Sequence, residues 1–441
     1  MWRSAEIELT RWKESPTRKP LIVRGARQVG KTWTIKAFGR AYYDNTSVID
    51  LERDASARAI FDGDLGASAL IPQLEAFCGN PLSGGRTLLF IDEIQAQPRA
   101  LTALRYLYEE RPDIPVIAAG SALEFALGEV SFPVGRVSFL RMHPMTFHEF
   151  LVARGLDMLS AALPTLGSPH TASDAVHMKL LGELRTYLLV GGMPEAVSGF
   201  IAENSLAAAA RVHSDLASSL AGSLARYQRR ADRESLETVF SSLPGAVGGQ
   251  VIYSHIDPVR RTEVTKASVQ ILARALLVTP VRDTAGDALP LGAGASDKRF
   301  KPLFLDVGLL QYLLGVSASV LFSGNDLSAV HRGAVVEQFV GQELLASGGS
   351  ENGSMYYWSR AGQRGNAEVD FIMSRGGKVY PVEVKSGAAG RMRSANLFLD
   401  SHPNSPAALV FSPLASAKRQ EGRLIYTPIY TRFDDSGLVV A

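Results

Sequence analysis

Gly25-Ala26-Arg27-Gln28-Val29-Gly30-Lys31-Thr32 sets two glycines, a lysine and a threonine at the spacing G-x-x-x-x-G-K-T, directly after the apolar run Leu21-Ile22-Val23. Glycines there let backbone N–H groups turn inward around phosphate oxygens. The lysine ammonium can reach the β- and γ-phosphates, and the threonine hydroxyl can ligand Mg²⁺. Trp33 follows and completes the candidate nucleotide-contacting segment. Residue frequencies produce such a string by chance in roughly one or two chains in a hundred of this length. A fortuitous Gly-rich turn is therefore the minor alternative.

A second element strengthens the first. Leu88-Leu89-Phe90-Ile91 runs into Asp92-Glu93, an apolar strand ending in two acids. Such an ending presents Asp92 to a magnesium shell and Glu93 to an attacking water. By itself an Asp-Glu pair is as often a strand-end cap; paired with the phosphate loop it points to nucleotide hydrolysis. Val116–Ala119 predicts a third strand, ending at Gly120-Ser121. In a parallel sheet that end lies at the ligand-binding edge. Ser121 is then placed to sense the γ-phosphate or the water, with a helix N-cap as the equal alternative. Arg136, after Gly135, is a candidate arginine finger acting across a subunit interface, in competition with Arg99, Arg105 and Arg111.

The other chemistry-bearing set lies near the end of the chain: Glu368-Val369-Asp370-Phe371-Ile372, then Gly376-Gly377, then Val382-Glu383-Val384-Lys385. Strand alternation puts Glu368 and Asp370 on one face, and Glu383 and Lys385 on one face of the next run. A two-residue Gly-Gly hairpin turn pairs residues whose numbers sum to 753, which sets Asp370 opposite Glu383 and Glu368 opposite Lys385. Two carboxylates held together repel each other unless something compensates. A divalent cation, Mg²⁺ or Mn²⁺, on Asp370 and Glu383 would do so, with Lys385 orienting or activating water. An ordinary solvated face, or a fold retained only for binding, remains an alternative.

These residues need elements to position them. Residues 1–150 alternate short apolar runs (Leu21–Val23, Ser47–Leu51, Thr87–Ile91, Val116–Ala119) with helix-length stretches, which predicts a parallel sheet covered by helices. Residues 156–175, rich in Ala, Ser, Pro and Gly, begin a lid or linker. Residues 179–327 read as mostly helical. There Val264–Leu277 has helical spacing, Leu277–Arg282 is strand-like, and Asp297–Lys301 reads as a basic loop, together suggesting a winged helix. Residues 328–441 read as a helix followed by strands. Tyr356-Tyr357-Trp358 is expected in the core. Arg226, Arg229, Arg230 and Arg233 share one helical face that would meet either phosphates or acids. Arg260-Arg261 with Lys266, and Lys298-Arg299-Lys301, would frame a winged-helix surface.

Composition sets limits. Hydrophobic residues make up 46 per cent, charged residues 20 per cent, and the net charge is +2, so no global pull toward nucleic acid is expected. The single cysteine, Cys78, excludes an internal disulfide framework and fits a reducing compartment. Met1 to Pro20 lack an apolar signal region and no run is long enough to span a membrane, so the expectation is a cytoplasmic protein.

The first two hundred residues resemble an AAA+ ATPase of a prokaryotic class in which a helical, winged-helix-like segment and a nuclease-like domain follow. The matching residues are the phosphate loop, Leu89-Phe90-Ile91-Asp92-Glu93-Ile94-Gln95, Ala119-Gly120-Ser121, Gly135-Arg136, His143-Pro144-Met145-Thr146-Phe147-His148-Glu149-Phe150, Gly191-Gly192-Met193-Pro194-Glu195 and Leu305-Asp306-Val307-Gly308-Leu309. The resemblance implies ATP and Mg²⁺ as cofactors and a homo-oligomeric ring, a hexamer or similar. Asp370 with Glu383-Val384-Lys385 resembles the PD-(D/E)xK nuclease or restriction-endonuclease-like fold, although Val369 stands where the strict pattern has proline. That resemblance implies DNA as partner and a further glutamate from a preceding helix. Within Arg332–Leu345, Glu337 matches the family position and Glu343 is the second choice. The fold class expected is thus α/β: a P-loop parallel-sheet ATPase domain (1–178), a helical, winged-helix-like domain (179–327) and a restriction-endonuclease-like domain (328–441).

Overall fold

The computed structural model describes residues 1–121, 123, 135–166, 172–224, 232–315, 330–348, 353–360, 366–387, 392–414 and 419–433. The chain forms two compact units. One comprises Met1–His143 with Arg274–Leu276, and the other Pro144–Ala273 with Leu277–Ala441.

The first unit is built on five strands: β1 (Leu21–Arg24), β2 (Asn45–Asp50), β3 (Thr87–Asp92), β4 (Val116–Gly120) and β5 (Ser138–Arg141). Their order is β2-β3-β4-β1-β5 and every pairing is parallel. β3 and β4 are buried along their whole length, as expected for central strands covered on both faces. The apolar runs expected as strands are β1 to β4. The edge strand β5 carried no such signal, because its four residues Ser-Phe-Leu-Arg are only partly buried. The helix Pro98–Glu110 turns Ala100, Leu101, Leu104 and Leu107 into a core shared with Ile49, Leu89 and Ile91. Each such fully buried Leu contributes about 1.5–3 kcal/mol. Parallel pairing has one consequence for chemistry: the chain leaves β1, β3 and β4 at the same edge, where Gly25, Asp92 and Ser121 lie.

The second unit carries a nine-stranded mixed sheet. Its strands are β6 (Val251–Ile252), β7 (Val278–Thr284), β8 (Ala295–Phe304), β9 (Met355–Arg360), β10 (Ala367–Arg375), β11 (Lys378–Val384), β12 (Ala408–Ser412), β13 (Arg419–Glu421) and β14 (Leu424–Pro428). They run in the order β13-β14-β12-β11-β10-β9-β7-β8-β6. β7 pairs in parallel with β9, Val281 facing Met355, so the segments 179–327 and 328–441 contribute strands to one sheet. The compact divide itself falls between His143 and Pro144.

The β10–β11 hairpin has the register expected from its turn. Phe371 pairs Val382, Met373 pairs Tyr380 and Arg375 pairs Lys378. Gly376 and Gly377 both have positive φ (56° and 74°), the backbone that a two-residue hairpin of this twist requires. The expected helix at Val264–Leu277 is present as Thr262–Arg274, and Tyr356, Tyr357 and Trp358 are buried. Asp297–Lys301, expected as a basic loop, is instead part of β8. Phe300, Leu303 and Phe304 bury against the unit and draw the strand inward. Lys298 and Arg299 stay exposed while Lys301 is 2 per cent exposed, so it frames no surface. Of the four arginines expected on one helical face, Arg226, Arg229 and Arg230 lie outside the described residues. Arg233 pairs with Glu237.

Three of the motifs named above meet inside this unit. Asp306, fully buried, accepts hydrogen bonds from Gly192 N (2.6 Å) and Leu309 N (2.9 Å), and Met145 N donates to Gly192 O (2.6 Å). Gly191 sits at φ +70°, and a Cβ there would strike the Asp306 carboxylate. Phe147 N donates to Glu343 Oε1 (2.9 Å), which assigns that glutamate to helix capping. No helix among the described residues is long and apolar enough to cross a membrane.

Candidate functional site

At the edge of the first sheet the loop after β1 wraps the start of the helix Lys31–Tyr42. The turn is built from backbone shapes that few residues adopt: Gln28 has φ +65° and Gly30 φ +93°. Gly25 is required for space, because a Cβ there would lie 2.5 Å from Met142 O. Arg3 braces the loop from behind. Its guanidinium, almost wholly buried, donates to Val29 O (2.7 Å) and His143 O (2.6 Å). Sequence reasoning missed this residue. Its one signal was an arginine ahead of the first helix, which is indistinguishable from surface charge until the fold is known.

Lys31 is buried, and its Nζ donates to Gly25 O (2.9 Å) and Ala26 O (2.7 Å). Burial pulls its pKa down to about 8, against the opposing pull of Glu93 and Asp92. Thr32 Oγ1 donates to Asp92 Oδ2 (2.7 Å), joining the helix start to the end of β3. Asp92 is itself buried, and burial raises its pKa despite the Thr32 hydrogen bond. Glu93 follows in the left-handed region (φ +49°) and its Oε2 is contacted by Gln95 Nε2 and, at 3.5 Å, by Ser121 Oγ. Arg27 Nε reaches the same Ser121 hydroxyl at 3.4 Å. Gln95, to which sequence reasoning assigned no role, thus orients Glu93.

Lys31, Thr32, Asp92, Glu93 and Ser121 are therefore assembled at one edge. Arg136 is half-exposed and pairs with Glu109 (2.8 Å), which also receives Arg105 (3.2 Å). Arg111 is paired with Asp113, and Arg99 donates to Gly63 O. The donor set fits magnesium: a hydroxyl and a buried carboxylate, both hard oxygen ligands, 2.7 Å apart.

In the second unit the C-terminal residues also converge, with an addition. Lys301 Nζ, from β8, lies 2.5 Å from Glu337 Oε1, 2.7 Å from Glu368 Oε1 and 3.6 Å from Asp370 Oδ1. Glu368 also accepts from Gln250 Nε2 (2.7 Å). Asp370 Oδ2 accepts from Val384 N at 2.8 Å. Glu383 is paired with Lys385 at 3.0 Å. Burial raises Glu337 to about 7, with Lys301 opposing, and raises Glu383 to about 7, with Asp370 adding to the rise and Lys385 opposing it. Burial acts to lower the Lys301 pKa, but Glu337, Asp370 and Glu368 outweigh it and hold the ammonium well above its ordinary value. The sequence placed Lys301 on a surface; the signal it offered was its position between Phe300 and Pro302-Leu303-Phe304.

Residues 17–151 match the family model of an AAA domain. Residues 181–320 match a domain of unknown function (DUF8612), and residues 332–430 a second one (DUF4143). No curated protein matches the chain. Among solved structures, the Aeropyrum pernix ORC1 protein in complex with DNA is similar over 72 per cent of this chain and 93 per cent of its own, at 12 per cent identity and a TM-score of 0.30. A point variant of Thermotoga maritima RuvB is similar over 62 and 87 per cent, at 14 per cent identity and 0.30. C. elegans PCH-2 is similar over 44 and 57 per cent, at 16 per cent identity and 0.26. The five-stranded parallel sheet with its phosphate loop is thus that of an AAA-type, nucleotide-binding ATPase domain.

Proposed function

We propose that this chain is a magnesium-dependent, ATP-binding and ATP-hydrolysing AAA+ protein that works as a homo-oligomeric ring and acts on DNA through a nuclease-like C-terminal domain. The observation that carries the ATPase reading is the 2.7 Å hydrogen bond from Thr32 to Asp92, with Lys31 and Glu93 at the same sheet edge. Lys31, now hydrogen-bonded to carbonyls of its own loop, exchanges them for the β- and γ-phosphate oxygens. Backbone N–H groups between Ala26 and Thr32, with Trp33 beside them, line the nucleotide. Thr32 and Asp92 are the residues that would hold Mg²⁺, which supplies charge neutralisation at the phosphates. Glu93 orients the water and accepts its proton, and Ser121 senses the γ-phosphate. Arg136 serves a neighbouring subunit, exchanging Glu109 for the phosphate there.

The test is nucleotide binding measured separately from turnover. Lys31→Ala should lose ATP binding. Glu93→Gln should keep it while turnover falls by about 10²–10³-fold. Parent-rate turnover in both variants would remove the assignment.

Two forms of the C-terminal reading were open: cutting DNA with a metal at Asp370 and Glu383 aided by Lys385 and Glu337, or binding DNA or a protein partner without cutting. The Lys301 contacts favour the second form.

A further inference from the structure

We propose that the Lys301 ammonium is the resident cation of the C-terminal carboxylate cluster, held beside Asp370, one of the two carboxylates expected to carry a divalent metal, so that this domain takes up no catalytic metal. The inference rests on the reading of that domain as nuclease-like and deepens it.

Three carboxylates converge on one nitrogen. Glu337 comes from a helix, and Glu368 and Asp370 from β10, with Lys301 Nζ between them at 2.5, 2.7 and 3.6 Å. A divalent ion bound to the same oxygens would stand roughly 2.0–2.6 Å from each. It would share the space of the ammonium and be repelled by its charge. The two residues expected to share a metal are each engaged elsewhere. Asp370 uses its second oxygen on Val384 N, and Glu383 is paired with Lys385. Among the described residues, no group of three or more His, Cys, Asp and Glu is arranged to hold a metal ion.

Lys301 is not a side chain on a loose tether. Its backbone is fixed in the β7–β8 ladder opposite Val281, with Phe300 facing Arg282 and Pro302 facing Pro280 on either side. The side chain is 2 per cent exposed. A metal on these oxygens would have to displace a buried ammonium whose backbone is held in the strand ladder. The residue types at Glu337, Asp370, Glu383 and Lys385 suit a metal nuclease, but the cluster as folded does not fit one. Lys301 already offsets part of its charge from within.

The test counts Mn²⁺ bound to the nucleotide-free full chain by the loss of the free-ion paramagnetic signal. Each protein is compared with its own Asp370→Asn partner, so any ion at Thr32 and Asp92 cancels. The native chain and Asp370→Asn should bind equally up to about 1 mM Mn²⁺. Lys301→Met should bind one ion more than Lys301→Met/Asp370→Asn, and Mn²⁺ should raise the melting temperature of the first and not of the second. Asp370-dependent Mn²⁺ in the native chain overturns the proposal. So does a folded Lys301→Met that gains no ion. Should Lys301→Met fail to fold, Lys301→Gln replaces it, and the native comparison alone can still sink the idea. Neither readout involves ATP turnover, so failure here leaves the nucleotide-site assignment standing.

Discussion

Lys31 and Lys301 are both buried lysines, one in each compact unit, and their surroundings are opposite. Lys31 is held by two neutral carbonyls, and burial pulls its pKa down to about 8. Lys301 is held by carboxylates that raise its pKa despite deeper burial. The first is a cation whose hydrogen bonds go to neutral oxygens, with Glu93 and Asp92 acting on it only through their charge. The second already has its anions. Burial of a charge alone would rank the two lysines together; the formal charge of the contacting oxygens separates them. At a contact near 4 Å and an effective dielectric of about 20, one such pair is worth about 4 kcal/mol. That is enough to decide whether a cluster welcomes or excludes a further cation.

The sharpest way to break this contrast is to delete each charge at constant volume and read stability. Lys301→Met leaves Glu337, Glu368 and Asp370 without their shared cation, and should cost the second unit about 3–5 kcal/mol at neutral pH. Lys31→Met removes a buried charge bonded to carbonyls. It should change the first unit by no more than about 1 kcal/mol, since lost hydrogen bonds and relieved desolvation offset each other. Urea unfolding that monitors each unit separately gives both numbers. Equal losses would mean that the two lysines are equivalent structural charges and that the comparison has no content.

Glu343 offers a third case, a buried carboxyl whose hydrogen-bond donor is a backbone N–H. Burial pushes its pKa up to about 8; the Phe147 N–H and Arg432 oppose the rise and Glu149 adds to it. The sign follows from proton counting. An acid whose folded pKa lies above its unfolded one binds more protons when folded, so stability is highest below about pH 4.5 and falls as pH rises toward about 8. Between about pH 5 and pH 8 the second unit should lose roughly 3–4 kcal/mol through this group. Glu343→Gln should flatten that slope, keeping an acceptor for Phe147 N without a proton to lose. An unchanged slope in Glu343→Gln would show that Glu343 is already ionised in the folded chain.

Much of the nucleotide site was legible because its chemistry is local. Gly25 to Thr32 are contiguous, and Asp92-Glu93 announce themselves as acids after an apolar strand. Parallel pairing then brings the two together without further information. The β10–β11 register was legible for a similar reason, since Gly376-Gly377 fixes the turn and the turn fixes the pairs from Arg375–Lys378 to Phe371–Val382. Lys301 was not legible. Its partners come from a helix and from a hairpin strand elsewhere in the chain, and basic residues in a row read as solvated. The run Phe300 to Phe304 already contained the correction, because a lysine inside a buried apolar strand must find a counter-charge. The motifs around Gly192 and Asp306 were legible as a family likeness, while their work, a buried capping knot, needed the fold.

The smallest expected effect tests whether the Lys31 cradle is set from outside the phosphate loop. Arg3 donates to Val29 O at 2.7 Å and to His143 O at 2.6 Å, tying the loop to the chain that follows β5. Arg3→Ala leaves both carbonyls without these donors and should cost the first unit about 1–2 kcal/mol. The loop would then sample shapes other than the one in which Gln28 and Gly30 hold positive φ. ATP affinity should fall severalfold while turnover at saturating ATP changes little. The carbonyls that Arg3 holds belong to the loop and to His143, whereas the water-orienting role is proposed for Glu93, which Arg3 does not touch. Arg3→Lys, with one point donor where arginine has a fork, should recover part of the affinity. If Arg3→Ala slows saturated turnover and spares affinity, the brace acts on the water-orienting groups. Lys31 would then owe its readiness for phosphate to the loop's own sequence.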